Sequence, residues 1–232
     1  MNLVFVFESN AQTKPIQFYV TDIEPWGYSE NGIAKGILVD MSLAIIKEAG
    51  LPANIMLAPL ARILRNFELK KNVASIQFAS EHLSRFADKS GEVIRYDIGI
   101  HPPKGVELSS IEDLNGKIIC QIRGGHYGTK YDNYMKAKKY KIKTYKQAIK
   151  MMFNQKCDAV VGVTRTVIWT ANVLGYGREN FSKTLKLKNE IGFLFLSNTN
   201  INDKMKQKLR QATNKLREQG VFEQITSNYL SL

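Results

Sequence analysis

Cysteine is scarce in this chain: Cys120 and Cys157 are the only two. Two cysteines do not build a disulfide scaffold, and neither has the His/Cys spacing that zinc requires. Cys120 falls inside an apolar strand and Cys157 just before another, so both read as buried or half-buried thiols, with a bridge between neighbouring strands as the alternative. The three histidines, His82, His101 and His126, share no metal-ligand spacing. No run of about 18 apolar residues occurs, so no segment reads as a membrane-spanning helix. A Ser-His-Asp order and a phosphate loop with its lysine are both missing. Acidic residues are few: 21 Asp and Glu against 33 Lys and Arg leave a net charge of +12. Such a balance favours anionic partners. Nucleic acid is not among those expected, because no basic run is interleaved with aromatics. The modest cluster Lys136–Lys143 reads as a solvated face.

What is present is a repeated alternation of strand and helix. Ile16–Thr21 alternates in polarity and is β-branched, as a strand should be. Asn31-Gly32 marks a turn. A helix follows over Asp40–Ala49, with Gly50 to end it. Ala53–Leu57 is a strand, Pro59–Lys70 a helix with Leu60, Ile63, Leu64 and Phe67 on one face, and Val73–Phe78 a third strand. Pro59 suits a first helical position, where no backbone N–H is needed. This order implies a mainly parallel sheet covered by helices. The pattern restarts with an extended Asp97–His101, a strand Lys117–Ile122, a helix Thr129–Lys138 and a short strand Ile142–Thr144. Thr144 through Gln147 is a capping box opening a helix that buries Ala148, Ile149, Met152 and Phe153. Strand Asp158–Val163, helix Thr166–Leu174, strand Ile191–Leu196 and two helices, Asn202–Gln219 and Val221–Leu230, complete the chain. Asn2–Phe7 is apolar and Ser9-Asn10-Ala11 is small, so residues 1–11 read as the remnant of an export signal cleaved after Ala11.

One stretch carries more chemistry than the rest. Ile111–Gly128 runs from a polar turn through a strand into Arg123-Gly124-Gly125-His126-Tyr127-Gly128, where a helix can begin. Two glycines at a strand-to-helix passage expose backbone N–H groups, and Arg123 adds a full positive charge. That is a seat for a carboxylate or, in the plainer reading, a tight turn.

In order along the chain, the landmarks resemble those of the type II periplasmic solute-binding proteins, in particular the polar amino-acid-binding family of ABC importers (bacterial extracellular solute-binding protein family 3). Pro25-Trp26 stands at a Pro-Pro-Phe-like turn. Gly36-Ile37-Leu38-Val39-Asp40 resembles Gly-Phe-Asp-Val-Asp. Leu83-Ser84-Arg85 keeps the Arg of a Thr-Pro-Glu-Arg motif. Asp113-Leu114-Asn115-Gly116-Lys117 matches Asp-Leu-Lys-Gly-Lys, and Cys157-Asp158-Ala159-Val160-Val161 resembles Val-Asp-Ala-Val-Val. Gly220 through Leu230 resembles the family's ending. The resemblance implies an α/β fold of two lobes, each a mainly parallel sheet with flanking helices, joined by a two-strand hinge. Lobe 1 would be residues 12–97 plus 191–232 and lobe 2 residues 98–190, closing on a solute like a Venus flytrap.

The same resemblance points to site residues. Arg85 would pair with a ligand carboxylate, for which a guanidinium fork is well shaped. Ser80, Gln77 and Phe78, at and after the third strand, would line the same cleft, as would Trp26 and Arg62. From lobe 2 come Arg123, Gly125 through its N–H, His126 and Thr164. The chain departs from the family where Val163 replaces the Asp that holds an α-ammonium, where Ile23 replaces a stacking aromatic, and where Gly125-His126 replaces a hydroxyl pair. With Arg62, Arg85, Arg123 and Arg165 near the cleft, a carboxylate-bearing or otherwise anionic solute fits better than a zwitterion. The expected activity is therefore non-catalytic. A monomer without a cofactor or a metal would bind a small polar solute in the periplasm, for a membrane permease of an ABC importer or for a sensor partner. A dehydratase-like enzyme on the same fold is the alternative of another class.

Overall fold

A computed structural model describes residues 14–230, and the expected signal remnant lies outside the described residues. In chain order the elements are β1 (Ile16–Thr21), β2 (Tyr28–Glu30), β3 (Ile33–Lys35), α1 (Ile37–Ala49), β4 (Ala53–Ala58), α2 (Leu60–Glu68), β5 (Val73–Phe78), α3 (Glu81–Ser84) and β6 (Ala87–His101). They continue with β7 (Ile118–Ile122), α4 (Thr129–Asp132), β8 (Lys138–Ile142), α5 (Tyr145–Phe153), β9 (Ala159–Val163), α6 (Thr164–Val173), β10 (Leu185–Ser197), α7 (Asp203–Glu218) and α8 (Val221–Leu230). Eight strands form one sheet in the order β4-β1-β5-β10-β6-β9-β7-β8, and β2 pairs with β3 as a separate hairpin.

The direction of these strands sets the architecture. β1 is parallel to β4 and β5, and β7 is parallel to β8 and β9. Between the two sets, β6 and β10 pair antiparallel from Ala87↔Ser197 to Ile100↔Leu185. β5 pairs with one end of β10, and β9 pairs with the opposite end of β6. The helices bury separate cores on the two sides. Ile16, Phe18, Ile37, Met41, Ile45, Leu194 and Leu209 belong to the first. Ile119, Tyr131, Ala159 and Val161 lie on one face of the β7–β9 sheet, and Cys120, Ile149, Met152 and Val167 on the other. α7 shows why its residues form a helix. Asn202 accepts from the Met205 N–H at 2.9 Å as its cap, and Met205, Leu209, Ala212 and Leu216 are buried at helical spacing.

Four local expectations are corrected. The extended pieces at 97–101 and 191–196 belong to far longer strands, β6 and β10, because each finds a partner along its whole length. The helix expected through Lys138 stops at Asp132, whose carboxylate turns back to accept from the N–H groups of Tyr127 and Gly128 at 3.2–3.3 Å. The chain beyond it becomes β8 rather than a strand at 142–144, since residues 138–142 pair with the open edge of β7. Cys120 and Cys157 are not free thiols: they are bridged, with Cα atoms 6.0 Å apart. The parallel pairing of β7 with β9 brings the residues around them side by side.

Candidate functional site

The sheet register places two sets of strand ends opposite one another. β5 runs parallel to β6 through β10, so its carboxyl end at Phe78 points along β6. β9 runs against β6, so its carboxyl end at Val163 points back. Phe78 is in register with Gly192, and Gly192 with Ile94, while Val163 is in register with Ile98. Along the direction of β6 the two ends are offset by four residues, about 13 Å at 3.3 Å per residue. Ligands of open α/β sheets bind outside the carboxyl ends of strands, and here two such edges share one gap.

Every candidate residue named from the sequence lies at or after the carboxyl end of one of the parallel strands. Trp26 follows β1, Arg62 follows β4, and Gln77, Phe78, Ser80 and Arg85 end or follow β5. Arg123, Gly125 and His126 follow β7, and Thr164 follows β9.

Trp26 is the most firmly placed. Its loop is held from both sides: the Trp26 N–H donates to the Ile23 carbonyl at 2.8 Å, and the Ile37 and Leu38 N–H groups of α1 donate to the carbonyls of Pro25 and Trp26 at 3.0 and 2.9 Å. Gly36 permits this approach. It has φ 125°, and a Cβ there would lie 2.7 Å from the Trp26 carbonyl oxygen. The indole Nε1–H donates to Thr166 Oγ1 on α6 at 2.6 Å, across 140 residues of sequence. Beside it Glu24 forms an ion pair with Lys146 of α5 at 2.5 Å. The loop after β1 is thus bonded to both helices beyond the gap.

On the β5 side, Gln77 Nε2 donates to Thr21 Oγ1 and Ser75 Oγ at 3.1 and 2.9 Å. The ring of Phe78 meets Tyr96 edge-on at 5.0 Å. Ser80 caps α3 by accepting from the Leu83 N–H at 3.2 Å. Arg85 is exposed, and its guanidinium donates to Glu81 at 2.7 Å. Arg62 is an exposed residue of α2.

On the β7 side, the turn is tighter than an open anion seat. The Gly125 N–H donates to the Ile122 carbonyl at 3.1 Å, which engages the donor expected for a ligand. A Cβ on Gly125 would lie 2.4 Å from the Tyr127 hydroxyl. That hydroxyl accepts from the Ile122 N–H at 3.1 Å. His126 is exposed, with Nδ1 3.8 Å from Asp132. The side chain of Arg123 is exposed at the mouth of the turn. Thr164 is the first residue of α6 and half-buried. Among the described residues no group of three or more His, Cys, Asp or Glu is placed to hold a metal ion.

Three features escaped the sequence reading. Tyr96 lies on β6 midway between the two strand ends and meets both Trp26 and Phe78 edge-on, at 4.9 and 5.0 Å. Burial pushes its phenol far above the usual tyrosine range. Gly192, opposite Ile94 and two residues beyond the register partner of Tyr96, leaves room for this packing, since a Cβ there would lie 2.9 Å from Ile94 Cγ2 and 3.1 Å from the Tyr96 ring. Thr166 receives the Trp26 indole. Tyr127 and Tyr145 are buried, and their hydroxyls fill the space that side chains on Gly125 and Gly162 would take. The available signal is the aromatic in Ile94-Arg95-Tyr96-Asp97, masked by the charged residues on either side of it.

No protein-family model matches the chain, and no curated protein matches it in sequence. Solved structures do match. The GluR0 ligand-binding core from Nostoc punctiforme in complex with L-glutamate superposes with a TM-score of 0.77 and 18% identity, over 94% of this chain and 100% of that one. A histidine kinase sensor domain with similarity to periplasmic binding proteins gives 0.77 and 16%, over 94% and 96%. A mutant of ArgBP from T. maritima gives 0.74 and 17%, over 94% and 95%. The chain has the type II, two-lobed periplasmic binding protein fold. The antiparallel β6–β10 pair lies between the two parallel sets of strands, and Tyr96 lies on it. No helix among the described residues is long and apolar enough to cross a membrane.

Proposed function

We propose that this protein is a non-catalytic solute-binding protein that holds a small polar, carboxylate-bearing solute between its lobes. The observation that carries the reading is the opposition of the β5 and β9 carboxyl ends across Tyr96, with Trp26 bonded to Thr166 over the gap. The lobes are assigned as residues 12–97 with 191–232, and 98–190. Lobe 1 would supply Trp26, Arg62, Gln77, Phe78, Ser80 and Arg85. Lobe 2 would supply Arg123, Gly125, His126 and Thr164. In this scheme Arg85 must leave Glu81 to reach a carboxylate, and exposure makes that exchange inexpensive, since surface ion pairs contribute about 0–1 kcal/mol. Gly125 would act by its lack of a side chain rather than by its N–H. The glutamate named for one structural neighbour supports an amino-acid-like solute. A dehydratase role finds less support, because Glu24, the carboxyl that could serve as a general acid, is held by Lys146.

Delivery to an ABC permease from the periplasm, by a monomer, is the use proposed. The buried Cys120–Cys157 bridge supports an oxidising compartment. Ligand sensing is the second reading, favoured by the match to a histidine kinase sensor domain. A thermal-shift screen of amino acids, dicarboxylates and polyamines tests the binding role. One class should raise the midpoint in proportion to the logarithm of its concentration, with calorimetry giving one site per chain. Silence across all three classes in both measurements would overturn the proposal.

A further inference from the structure

The net charge of +12 is concentrated in one stretch. Between Asp132 and Asp158 the sequence has eight lysines and no acidic residue. This stretch forms the outer edge strand of the whole sheet, β8, with the turn before it, helix α5 and the turn after. Two of the lysines are engaged: Lys139 donates to the Asp132 carbonyl at 2.6 Å, and Lys146 pairs with Glu24. The other six, Lys136, Lys138, Lys141, Lys143, Lys150 and Lys156, are all exposed, and none has a side-chain partner among the described residues.

Edge strands commonly carry lysine to block pairing with another sheet. That explains Lys138 and Lys141. It does not explain Lys143 in the turn before α5, Lys150 on the exposed side of α5, or Lys156 beyond it. Nor does it explain the apolar side chains among them. Met135 is 86% exposed, the most exposed large hydrophobic residue described, and Tyr140 is 44% exposed. A cationic surface studded with a protruding Met and an amphipathic Tyr combines the two forces that hold proteins at anionic bilayers, attraction to headgroups and shallow apolar insertion. An acidic protein would satisfy the lysines but leave Met135 in water unless it offered a matching pocket.

We propose that this lysine-lined edge of lobe 2 docks on the surface of an anionic lipid bilayer. The edge is the strand farthest from β4, with β7 and β9 between it and the inter-lobe gap. Docking there leaves the gap accessible, so the proposal stands or falls apart from the solute-binding reading.

Sedimentation with phosphatidylcholine vesicles, with and without about a third phosphatidylglycerol, tests it on the full chain. At low ionic strength binding to the anionic vesicles should be at least about tenfold tighter and should be lost in high salt. The triple variant K138E, K141E and K150E should lose about tenfold or more of that binding with an unchanged thermal midpoint. Replacing Met135 and Tyr140 by Ser should weaken vesicle binding several-fold while leaving binding to soluble heparin unchanged. Equal binding to neutral and anionic vesicles, or full binding by the lysine variant, would overturn the proposal. So would an unaffected Ser variant, which would point to an acidic macromolecule instead.

Discussion

Trp26 Nε1 lies 2.6 Å from Thr166 Oγ1, and both residues are buried. This bond ties the loop after the first strand to a helix in the other half of the fold. Replacing Thr166 by Val keeps the shape and removes the acceptor, leaving a buried indole N–H without a partner. A loss of about 1–3 kcal/mol is expected, read from urea unfolding. Small-angle scattering should show a larger radius of gyration for the variant. An unchanged profile together with unchanged stability would show that the bond does not hold the lobes.

The two arginines proposed for the solute site can be tested directly. Arg85→Ala and Arg123→Ala should each weaken solute binding by about tenfold or more, the scale of a charge-assisted hydrogen bond. Because both side chains are exposed, neither change should move the thermal midpoint by more than a degree or two. Titration calorimetry with whichever solute the screen finds checks both. Intact binding in the two variants would remove them from the site.

The disulfide spans 37 residues of sequence. Closing a loop of that length restricts the unfolded chain by about 3–4 kcal/mol in the chain-entropy model. Replacing Cys120 and Cys157 together by Ser, or adding reductant to the unfolding experiment, should lower stability by an amount of that order. The two treatments should not be additive.

His101 supplies a pH dependence. It is fully buried, its Nδ1 bonds Thr184 Oγ1 at 3.1 Å, and burial, with Arg178 nearby, lowers its pKa to about 4. In the unfolded chain it would titrate near 6.5. The unfolded state therefore binds the extra proton between these values, so this contribution is complete above about pH 6.5 and is lost as pH falls toward 4. The full span amounts to about 3 kcal/mol. Stability measured from pH 7 to 4 should show the slope, and His101→Gln should flatten it.

Much of the fold was legible in the sequence because it rests on local periodicity. β1, β5 and α8 have the boundaries their residues imply, and α7 shows its apolar stripe directly. What was illegible depends on partners distant in sequence. Arg95, Asp97 and Glu190 give β6 and β10 a polar surface that hides two long strands, which exist because they pair with each other. α4 stops after one turn because the chain beyond it pairs with β7 as β8, which no helical pattern reveals. At the site, the strand-to-helix turns were legible from glycines and a charge. The role of Gly125 was not, because it is set by the hydroxyl of Tyr127. Tyr96 owes its position to register alone.

The paired strands β6 and β10 have a mechanical consequence. Their ladder is irregular between Lys186 and Lys188, between Gly192 and Phe193, and between Leu194 and Phe195. Bulges raise local twist and bend a strand while the hydrogen bonds on either side persist. A two-stranded ribbon with such interruptions resists stretching and sliding but yields to bending and torsion. The two lobes proposed above would then move as stiff plates on a leaf spring, with Tyr96 and the Trp26 ring packed on it close to the neutral axis and displaced least.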